Sequence, residues 1–263
     1  MKNERHVKIM SLLAQNKMIT VSRLTELLEV SEITVRRDLD ELAEEGKLHR
    51  VHGGARLPEF YELEPPIKHR QVEQMNEKAA IARKTMSYIK DGDTIGIESG
   101  TTTLALAKEI ASRNWNNLTV VTNSLLILNL LIPVSGTHLM FLGGMIDVNE
   151  LCSNSNPTED SLKHVHIDTF FSGCRGLHPN FGRTNEMQNG IEIFTVRSFK
   201  KASDRTIILA DHTKFSKIYS LQLLQMSEID IVITTRLAPQ TMLDEIRKEG
   251  TTVDFALLEE GSL

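Results

Sequence analysis

The sequence is poor in several features that would each define a class of protein. It holds two cysteines, Cys152 and Cys174, which are too few for a disulfide framework and are typical of a reduced compartment. No apolar run is long enough to span a bilayer, and the opening residues, MKNERHVKIM, lack the apolar stretch of a secretory signal. Internal repeats and low-complexity segments are absent as well. The sequence therefore predicts a cytoplasmic protein with no membrane partner.

The chain also lacks a positive net charge, since its formal charge is −5. Residues 1–57 carry ten Lys or Arg against nine Asp or Glu, so the other residues carry twenty against twenty-six. Residues 46–58 contain no acid but hold Lys47, His49, Arg50, His52 and Arg56. Short basic runs are often plain solvated surface, but a local basic stripe on an acidic protein also suits a DNA-binding module attached to another domain.

Three apolar patterns at helical spacing occupy the first segment, around Val7–Ala14, Leu24–Leu28 and Val35–Leu42. Ser31 suits the N-cap of the third helix because its side-chain oxygen can accept a hydrogen bond from an otherwise unpaired amide. Residues 48–57 alternate as a β-hairpin that turns at Gly53 and Gly54. The segment predicts three helices followed by a hairpin.

The third helix has the chemistry of a DNA-reading helix. With Val35 facing the core, Arg37 and Ile33 point away from it, and Thr34 and Arg36 flank them. Arginine can grip guanine with two hydrogen bonds, while hydroxyls and a helix N-terminus hold phosphates. We expect Asp38 to position Arg36 or Arg37. The alternative is an ordinary amphipathic helix with exposed arginines.

The stretch MITVSRLTELLEVSEITVRRDLDELAEEGKLHRVHGGA resembles the N-terminal domain of the DeoR family of bacterial repressors, through its TVRRDL helix and its RVHGGA wing. The resemblance implies a winged helix-turn-helix over residues 1–57 that binds double-stranded operator DNA. The expected DNA-binding residues are Ser22, Ser31, Thr34, Arg36, Arg37, Arg50, His52, Gly53 and Gly54. His49 and His52 form an H-x-x-H pair without further ligands, so no metal site is expected there.

Residues 58–75, which open with PEFYELEPP, are predicted to be a linker, and residues 76–263 a second domain, with a helical pattern over 68–90. Beyond that pattern, short β-rich segments alternate with helical ones such as 104–111, 124–131 and 240–248. The alternation favours an α/β domain with a largely parallel sheet. The predicted strands are 94–97, 118–122, 138–142, 169–172, 206–210, 229–234 and 253–257.

A strand-to-helix junction carries Ser99, Gly100, Thr101, Thr102 and Thr103, where free amides and the helix dipole favour an anion. A merely capped turn is an equally good interpretation of this junction alone. Polar and glycine residues also follow other predicted strands, as at Asn123, Gly143-Gly144 and Lys214. Such residues meet at one edge of a parallel sheet.

These segments resemble the sensor domain of the same family, which is similar in fold to ribose-phosphate isomerase and CoA-transferase-like proteins and binds sugar phosphates. The resemblance implies a phosphate cradle of Ser99–Thr103 with Lys214. Further effector contacts are expected at Glu98, Asn123, Gly143, Gly144, Arg175, Glu192 and Arg197. The chain departs from the family at Glu98, where Asp is common, and after Glu192, where Val196-Arg197 replaces a Lys-Arg pair.

Three other function classes compete with a repressor, and one of them, an effector-independent architectural DNA binder, would leave three polar strand-end loops without a purpose. A sugar-phosphate isomerase with a fused DNA-binding domain needs an acidic motif where this chain has Cys174-Arg175-Gly176, although Glu98 could serve as a base. A zinc site from Cys174, His178 and another histidine has no recognisable ligand spacing. We therefore expect no enzymatic activity, no catalytic residue, no metal and no cofactor. We expect a homo-oligomeric repressor of sugar uptake or catabolism that a phosphorylated sugar releases from DNA.

Overall fold

The structure is a computed structural model that describes residues 2–16, 18–45, 47–51, 53–56, 67–154, 161–186, 192–215 and 217–258. The chain divides into two compact units, Met1–Glu64 and Pro65–Leu263. Most of the predicted linker, residues 57–66, lies outside the described residues, so its bounds stay a prediction.

The first unit has three helices and a small antiparallel sheet. The helices are α1 (Lys2–Asn16), α2 (Val21–Leu28) and α3 (Glu32–Glu44). The strands are β1 (Met18–Thr20), β2 (His49–Val51) and β3 (Gly54–Arg56), in the order β1-β3-β2. The three helices and the hairpin follow the sequence prediction, while β1 was not predicted.

One apolar core joins these elements. Ser31 caps α3 by accepting a hydrogen bond from the Thr34 amide at 3.3 Å. Thr20, the residue before α2, caps that helix by accepting from the Arg23 amide at 3.2 Å. Because Val51 pairs with Gly54, Gly54 belongs to β3 and not to the turn, where the sequence prediction placed it. The buried core consists of Ile9, Leu13, Ile19, Val21, Leu24, Val35, Leu39, Leu42, Leu48 and Ala55.

The second unit alternates strands and helices along most of its length. Its helices are α4 (Ile67–Arg70), α5 (Met75–Thr85), α6 (Thr101–Ala111), α7 (Leu125–Leu131), α8 (Glu192–Ala202) and α9 (Gln240–Lys248). Its first strands are β4 (Thr94–Ile97), β5 (Leu118–Thr122), β6 (Thr137–Phe141), β7 (Met145–Asp147), β8 (Cys152–Asn154) and β9 (Ile167–Ser172). The others are β10 (Gly176–His178), β11 (Gly182–Asn185), β12 (Ser203–Leu209), β13 (Leu221–Leu224), β14 (Ile231–Thr235) and β15 (Thr252–Ala256).

A seven-stranded sheet with the order β15-β14-β12-β9-β4-β5-β6 forms the centre of this unit. Every neighbouring pair in it is parallel, so all seven strands end at the same edge. The predicted α/β class with a largely parallel sheet is confirmed. The antiparallel pair β7-β8 and the small sheet β10-β11-β13 were not predicted.

The predicted continuous helix over residues 68–90 is wrong. The chain forms α4, a turn over residues 71–74, α5, and a short 3-10 helix at Met86–Tyr88. Gln74 has a φ of 49°, in the left-handed region, and this conformation starts α5 in a new direction. Among the described residues, no helix has the length and apolar character that a membrane crossing requires.

Candidate DNA-reading surface and effector site

The outward face of α3 carries the exposed side chains that the sequence analysis predicted to contact DNA. The Arg36 side chain is 51% exposed and that of Arg37 is 67% exposed. Both contact acids of their own helix: Arg36 donates to Glu32 at 3.1 Å, and Arg37 lies 4.0 Å from Glu41. Ile33 is 81% exposed on the same face. This face can meet a DNA groove without disturbing the core.

Asp38 does not position Arg36 or Arg37, which corrects the expectation from the sequence. Its carboxylate is fully buried, accepts two hydrogen bonds from Arg5 and lies 3.3 Å from the His6 ring. Burial favours the neutral acid, but the hydrogen bonds and charge interactions with Arg5 and His6 together outweigh it and hold the pKa of Asp38 below its usual value. Asp38 therefore fastens α3 to α1.

The hairpin places one arginine beside the reading helix. The Arg50 guanidinium lies 2.9 Å from Asp40 of α3 and donates to the Gly54 carbonyl at 3.2 Å. Gly53 has a φ of 76°, which favours glycine. Gly54 is buried, and a Cβ there would lie 2.4 Å from the Ile19 carbonyl oxygen of β1. Gly54 therefore lets the hairpin pack on β1.

The other predicted DNA-binding residues of this unit that the structure describes lie at the starts of α2 and α3. Ser31 is exposed at the start of α3, and its hydroxyl lies 2.9 Å from that of the half-buried Thr34. Ser22 is exposed in the first turn of α2. His52 lies outside the described residues.

In the second unit, the loops after β4 and β5 are held together by an amide side chain. Asn123 accepts a hydrogen bond from the Ser99 amide at 2.9 Å and donates one to the Ser153 carbonyl at 3.0 Å. Asn123 is 2% exposed. Its side chain therefore bridges the Ser99 loop and β8 and fixes their separation.

The start of α6 lies at this edge without a side-chain cap. Gly100 occupies the N-cap position, and no side chain there accepts from the first amides of the helix. Thr103 donates its hydroxyl proton back to the Gly100 carbonyl at 3.0 Å, while Thr101 is half-buried and Thr102 buried. Uncapped amides at the positive end of a helix dipole favour an anion.

A buried charged cluster lies beside this loop. Arg183 is 4% exposed and donates to Glu98 at 3.1 Å, to Glu192 at 2.7 Å and to the Gly173 carbonyl at 2.7 Å. Ser172 donates to the other oxygen of Glu98 at 2.6 Å. Burial raises the pKa of Glu98 to about 8, with Arg183 opposing the rise and Glu192 adding to it.

Sequence reasoning selected Glu98 and Glu192 but missed Arg183, their shared partner. The signal was weak: an arginine in the polar run GRTNE, after a segment with no strand prediction. Asn185 of the same strand also donates to Glu192. The run thus supplies both donors that hold Glu192 at the strand-end edge.

Lys214 follows β12 in a short 3-10 turn, with its ammonium 3.6 Å from the buried Asp211 carboxylate. Both Lys214 and Arg183 act electrostatically on Cys174, but burial dominates and raises the pKa of that thiol to about 12. The pKa of Cys152 is also raised to about 12 by burial. Neutral thiols are poor nucleophiles and poor metal ligands.

The remaining predicted contacts lie in different surroundings. Arg175 donates to Glu186 at 2.7 Å and lies over the Tyr219 ring. Gly143 and Gly144 are exposed after β6, and Gly144 has a φ of 147°. Arg197 donates to both oxygens of Glu228, at 2.6 and 2.7 Å, on the 3-10 turn that precedes β14. That ion pair joins α8 to the turn before β14, away from the edge where the strands end.

Three groups of described residues bring histidine and carboxylate atoms within 4.8 Å of one another: His6-Asp38-Glu41, Glu77-Asp211-His212 and His166-Asp168-Asp204. Protein partners already use the first two, because Arg5 donates to Asp38, and His212 and Thr235 contact Glu77. The third group is exposed. We assign no metal to them.

A helix-turn-helix unit with an exposed arginine face, joined to an α/β unit with an anion-favouring edge, defines the class of ligand-responsive DNA-binding regulators. Comparisons with known proteins place the chain in the same class. Residues 5–60 match the model of the DeoR-like helix-turn-helix domain, and residues 73–236 match that of the DeoR C-terminal sensor domain. The chain belongs to the DeoR family and is a transcriptional repressor of that type, not an enzyme.

Curated relatives match over nearly the whole chain. The transcriptional regulator GolR of Listeria innocua is 30% identical over 96% of this chain and 98% of its own. The repressor GlcR of Bacillus subtilis is 30% identical over 98% of each chain. The glycerol-3-phosphate regulon repressor of Escherichia coli is 31% identical over 91% of this chain and 93% of its own.

Among solved structures, ribose 5-phosphate isomerase A of Methanocaldococcus jannaschii is similar with a TM-score of 0.38 and 14% identity, over 52% of this chain and 53% of that one. A transcriptional regulator from Streptococcus pneumoniae is similar with a TM-score of 0.41 and 12% identity, over 67% of this chain and 86% of that one. The family assignment comes from the sequence matches alone.

Proposed function

We propose that this DeoR-type repressor binds the operator of a sugar uptake or catabolism operon as a homo-oligomer, and that a phosphorylated sugar releases it. The observation that carries the proposal is the uncapped start of α6 at Gly100, beside the buried Glu98-Arg183-Glu192 cluster. An anion-favouring helix end and a set of polar hydroxyl-binding groups together suit a ligand with a phosphate at one end and hydroxyls at the other.

The phosphate half of this site is supported by charge and by geometry. The amides of Thr101 to Thr103 lie at the positive end of α6, and Lys214 supplies a mobile cation from the turn after β12. Asn123 fixes the loop that precedes these amides. A rigid cradle reduces the entropy cost of binding an anion.

The hydroxyl half is supported by the carboxylates. Glu192 accepts hydrogen bonds from Arg183 and Asn185, which fix its orientation, and its side chain is 19% exposed. A carboxylate held in this way can accept further hydrogen bonds from sugar hydroxyls. The name of the Escherichia coli relative, a glycerol-3-phosphate regulon repressor, refers to a phosphorylated polyol and agrees with this chemistry.

The proposal is tested by fluorescence anisotropy of the protein on its own upstream promoter DNA at fixed salt, titrated with sugar phosphates and their unphosphorylated counterparts. One phosphorylated sugar should weaken DNA binding by roughly 5- to 150-fold, the usual range of allosteric coupling. Lys214→Ala should reduce that response and leave DNA binding unchanged. DNA binding that no sugar phosphate shifts would reject the effector half of the proposal.

A further inference from the structure

Ile33 is the most exposed large apolar side chain in the described part of the chain, at 81%. The core of the first unit takes Val35, Leu39 and Leu42 from the same helix instead. Isoleucine is β-branched and therefore favours a helix less than alanine or a long polar residue does. Neither packing nor helix propensity explains an isoleucine at this position. Single exposed apolar residues are common on protein surfaces, so what matters is the place of Ile33 on α3.

Ile33 lies near the N-terminus of α3, in the part of a reading helix that meets base edges. It is the second residue of the helix, after Glu32 and the capping Ser31. At 100° per residue, Arg37 lies within about 40° of Ile33 and about 6 Å further along the helix axis. The two side chains therefore belong to one outward row, with the apolar one at its N-terminal end.

The charged side chains around Ile33 have polar partners within the protein. Arg36 donates to Glu32 at 3.1 Å. Asp40, further along the same outward face, lies 2.9 Å from Arg50 of the hairpin. The isoleucine side chain carries no polar atom, so it can contribute to recognition through apolar contact alone. Ile33 is thus an apolar spot at the N-terminal end of a charged face.

We propose that Ile33 contacts the C5 methyl group of an operator thymine and thereby selects a T·A pair at that position. This methyl group is the apolar group that distinguishes thymine in the major groove. Beside the polar edge of another base, the isoleucine would displace water from a hydrogen-bonding group without replacing its hydrogen bond. The inference rests on operator binding by α3 and does not depend on the effector.

The size of the effect follows from the area that leaves water. Each methyl group buried on binding strengthens it by about 4-fold. Ile33→Ala removes three carbons that the contact buries in part, so operator affinity should fall by about 5- to 20-fold. Thermal stability should not fall, because the side chain is exposed and alanine favours helices. An apolar contact releases no counterion, so the salt dependence of binding should keep its slope, whereas Arg37→Ala should reduce it.

Replacement of single methyl groups in the DNA tests the contact. The full-length protein first selects a binding duplex from a random-sequence pool. Each thymine of that duplex is then replaced singly by deoxyuridine, which loses the methyl group and keeps the base pair. The unchanged protein should lose about 3- to 6-fold in affinity at the thymine that Ile33 contacts. Ile33→Ala should bind the thymine and deoxyuridine duplexes equally well at that position. Fluorescence anisotropy measures each affinity.

Two further variants are matched controls. Val7→Ala shortens an exposed apolar side chain of α1 in the same unit and should change neither affinity nor base preference. Thr34→Ser removes the methyl group of the residue beside Ile33 and keeps the hydroxyl, which lies 2.9 Å from that of Ser31. Thr34→Ser should therefore keep the sensitivity to deoxyuridine that Ile33→Ala loses.

The outcomes separate this inference from operator binding itself. If no thymine is sensitive in the unchanged protein, or if Ile33→Ala keeps the full sensitivity, the role of Ile33 is rejected and operator binding stands. Sensitivity that Thr34→Ser abolishes would assign the methyl contact to Thr34 instead. If Ile33→Ala alters the oligomeric state and not the base preference, Ile33 belongs to a protein interface and the proposal is rejected. If the unchanged protein selects no sequence, operator binding and the inference fail together.

Discussion

Helix α3 of the first unit and the strand-end cluster of the second handle charge in opposite ways. On the reading helix α3, Arg36 is exposed and pairs with Glu32, one turn away on the same helix. In the second unit, Arg183 is buried and pairs with Glu98 and Glu192, which reach it from other elements of the fold. The first arrangement leaves the arginine able to change partners, whereas the second fixes it within the fold.

This difference decides which property a substitution changes. Exposed ion pairs are worth about 0–1 kcal/mol, so their arginines can turn to DNA at little cost. Breaking a buried pair costs about 3–5 kcal/mol because a charge stays behind without a partner. Replacing an arginine should therefore reduce DNA binding on the outward face of α3 and reduce stability in the strand-end cluster.

The largest effect is expected from Arg183→Met. It leaves the buried Glu98 and the half-buried Glu192 without the cation they share, so the free energy of unfolding should fall by about 3–5 kcal/mol. Urea unfolding measured by circular dichroism checks this. Arg197→Met, which breaks the partly exposed pair with Glu228, should cost less than about 1 kcal/mol. Equal losses for the two variants would contradict the comparison.

The second prediction concerns Arg37→Ala on the reading helix. Operator affinity should fall by about 1–3 kcal/mol, the usual cost of losing a bidentate contact to a base, while thermal stability stays unchanged. Anisotropy on operator DNA and on a scrambled duplex measures both affinity and preference. Arg247→Ala, an arginine of α9 paired with Asp244, should alter neither. Loss of stability in Arg37→Ala would show that the arginine supports the fold.

The third prediction is a pH dependence centred on Glu98. Because its pKa is raised from 4.5 to about 8 in the folded protein, its contribution to stability is fully present below about pH 4.5 and is lost as pH rises toward 8. The stability of the unchanged protein should therefore fall relative to Glu98→Gln, by up to about 1.4 kcal/mol per pH unit. Unfolding at pH 6, 7 and 8 measures the difference. A difference that stays constant over this range would refute the prediction.

Local patterns were enough to predict most of the architecture. The bounds of β4 and β5 follow from β-branched runs between turn residues, and those of α9 follow from helical spacing. The reading face of α3 was also predictable, because helical geometry fixes which side chains oppose Val35. In each case the deciding information lies within one element.

The features that sequence did not predict depend on partners far along the chain. Asp38 binds Arg5, 33 residues away, and Arg183 binds Glu98, 85 residues away. The break before α5 depends on the left-handed conformation of Gln74, and a glutamine in the sequence gives no indication of that conformation. Apolar periodicity carries no information about which buried charges meet, so the centre of the candidate site needed the structure.

The smallest effect should come from Glu32→Gln, which removes the acidic partner of an exposed arginine and leaves the arginine in place. Glu32 is the acid in the first turn of α3 and the partner of Arg36. Removing its charge should cost about 0.3–1 kcal/mol of stability, since an acid at a helix N-terminus complements the dipole. DNA affinity should rise about 2- to 5-fold at low salt, because Arg36 is released and one charge that repels phosphates is gone.

Anisotropy at two salt concentrations separates these contributions, and Glu44→Gln in the last turn of α3 is the control that should leave affinity nearly unchanged. The gain from Glu32→Gln should shrink as salt rises, because exposed charges are screened. A loss of affinity confined to one operator sequence would instead mean that Glu32 accepts a hydrogen bond from a base, as carboxylates do with cytosine. In that case Glu32 and Arg36 would be held by their ion pair in the conformation that contacts the bases. The exposed charges of α3 would then be preorganised, as the buried charges around Arg183 are.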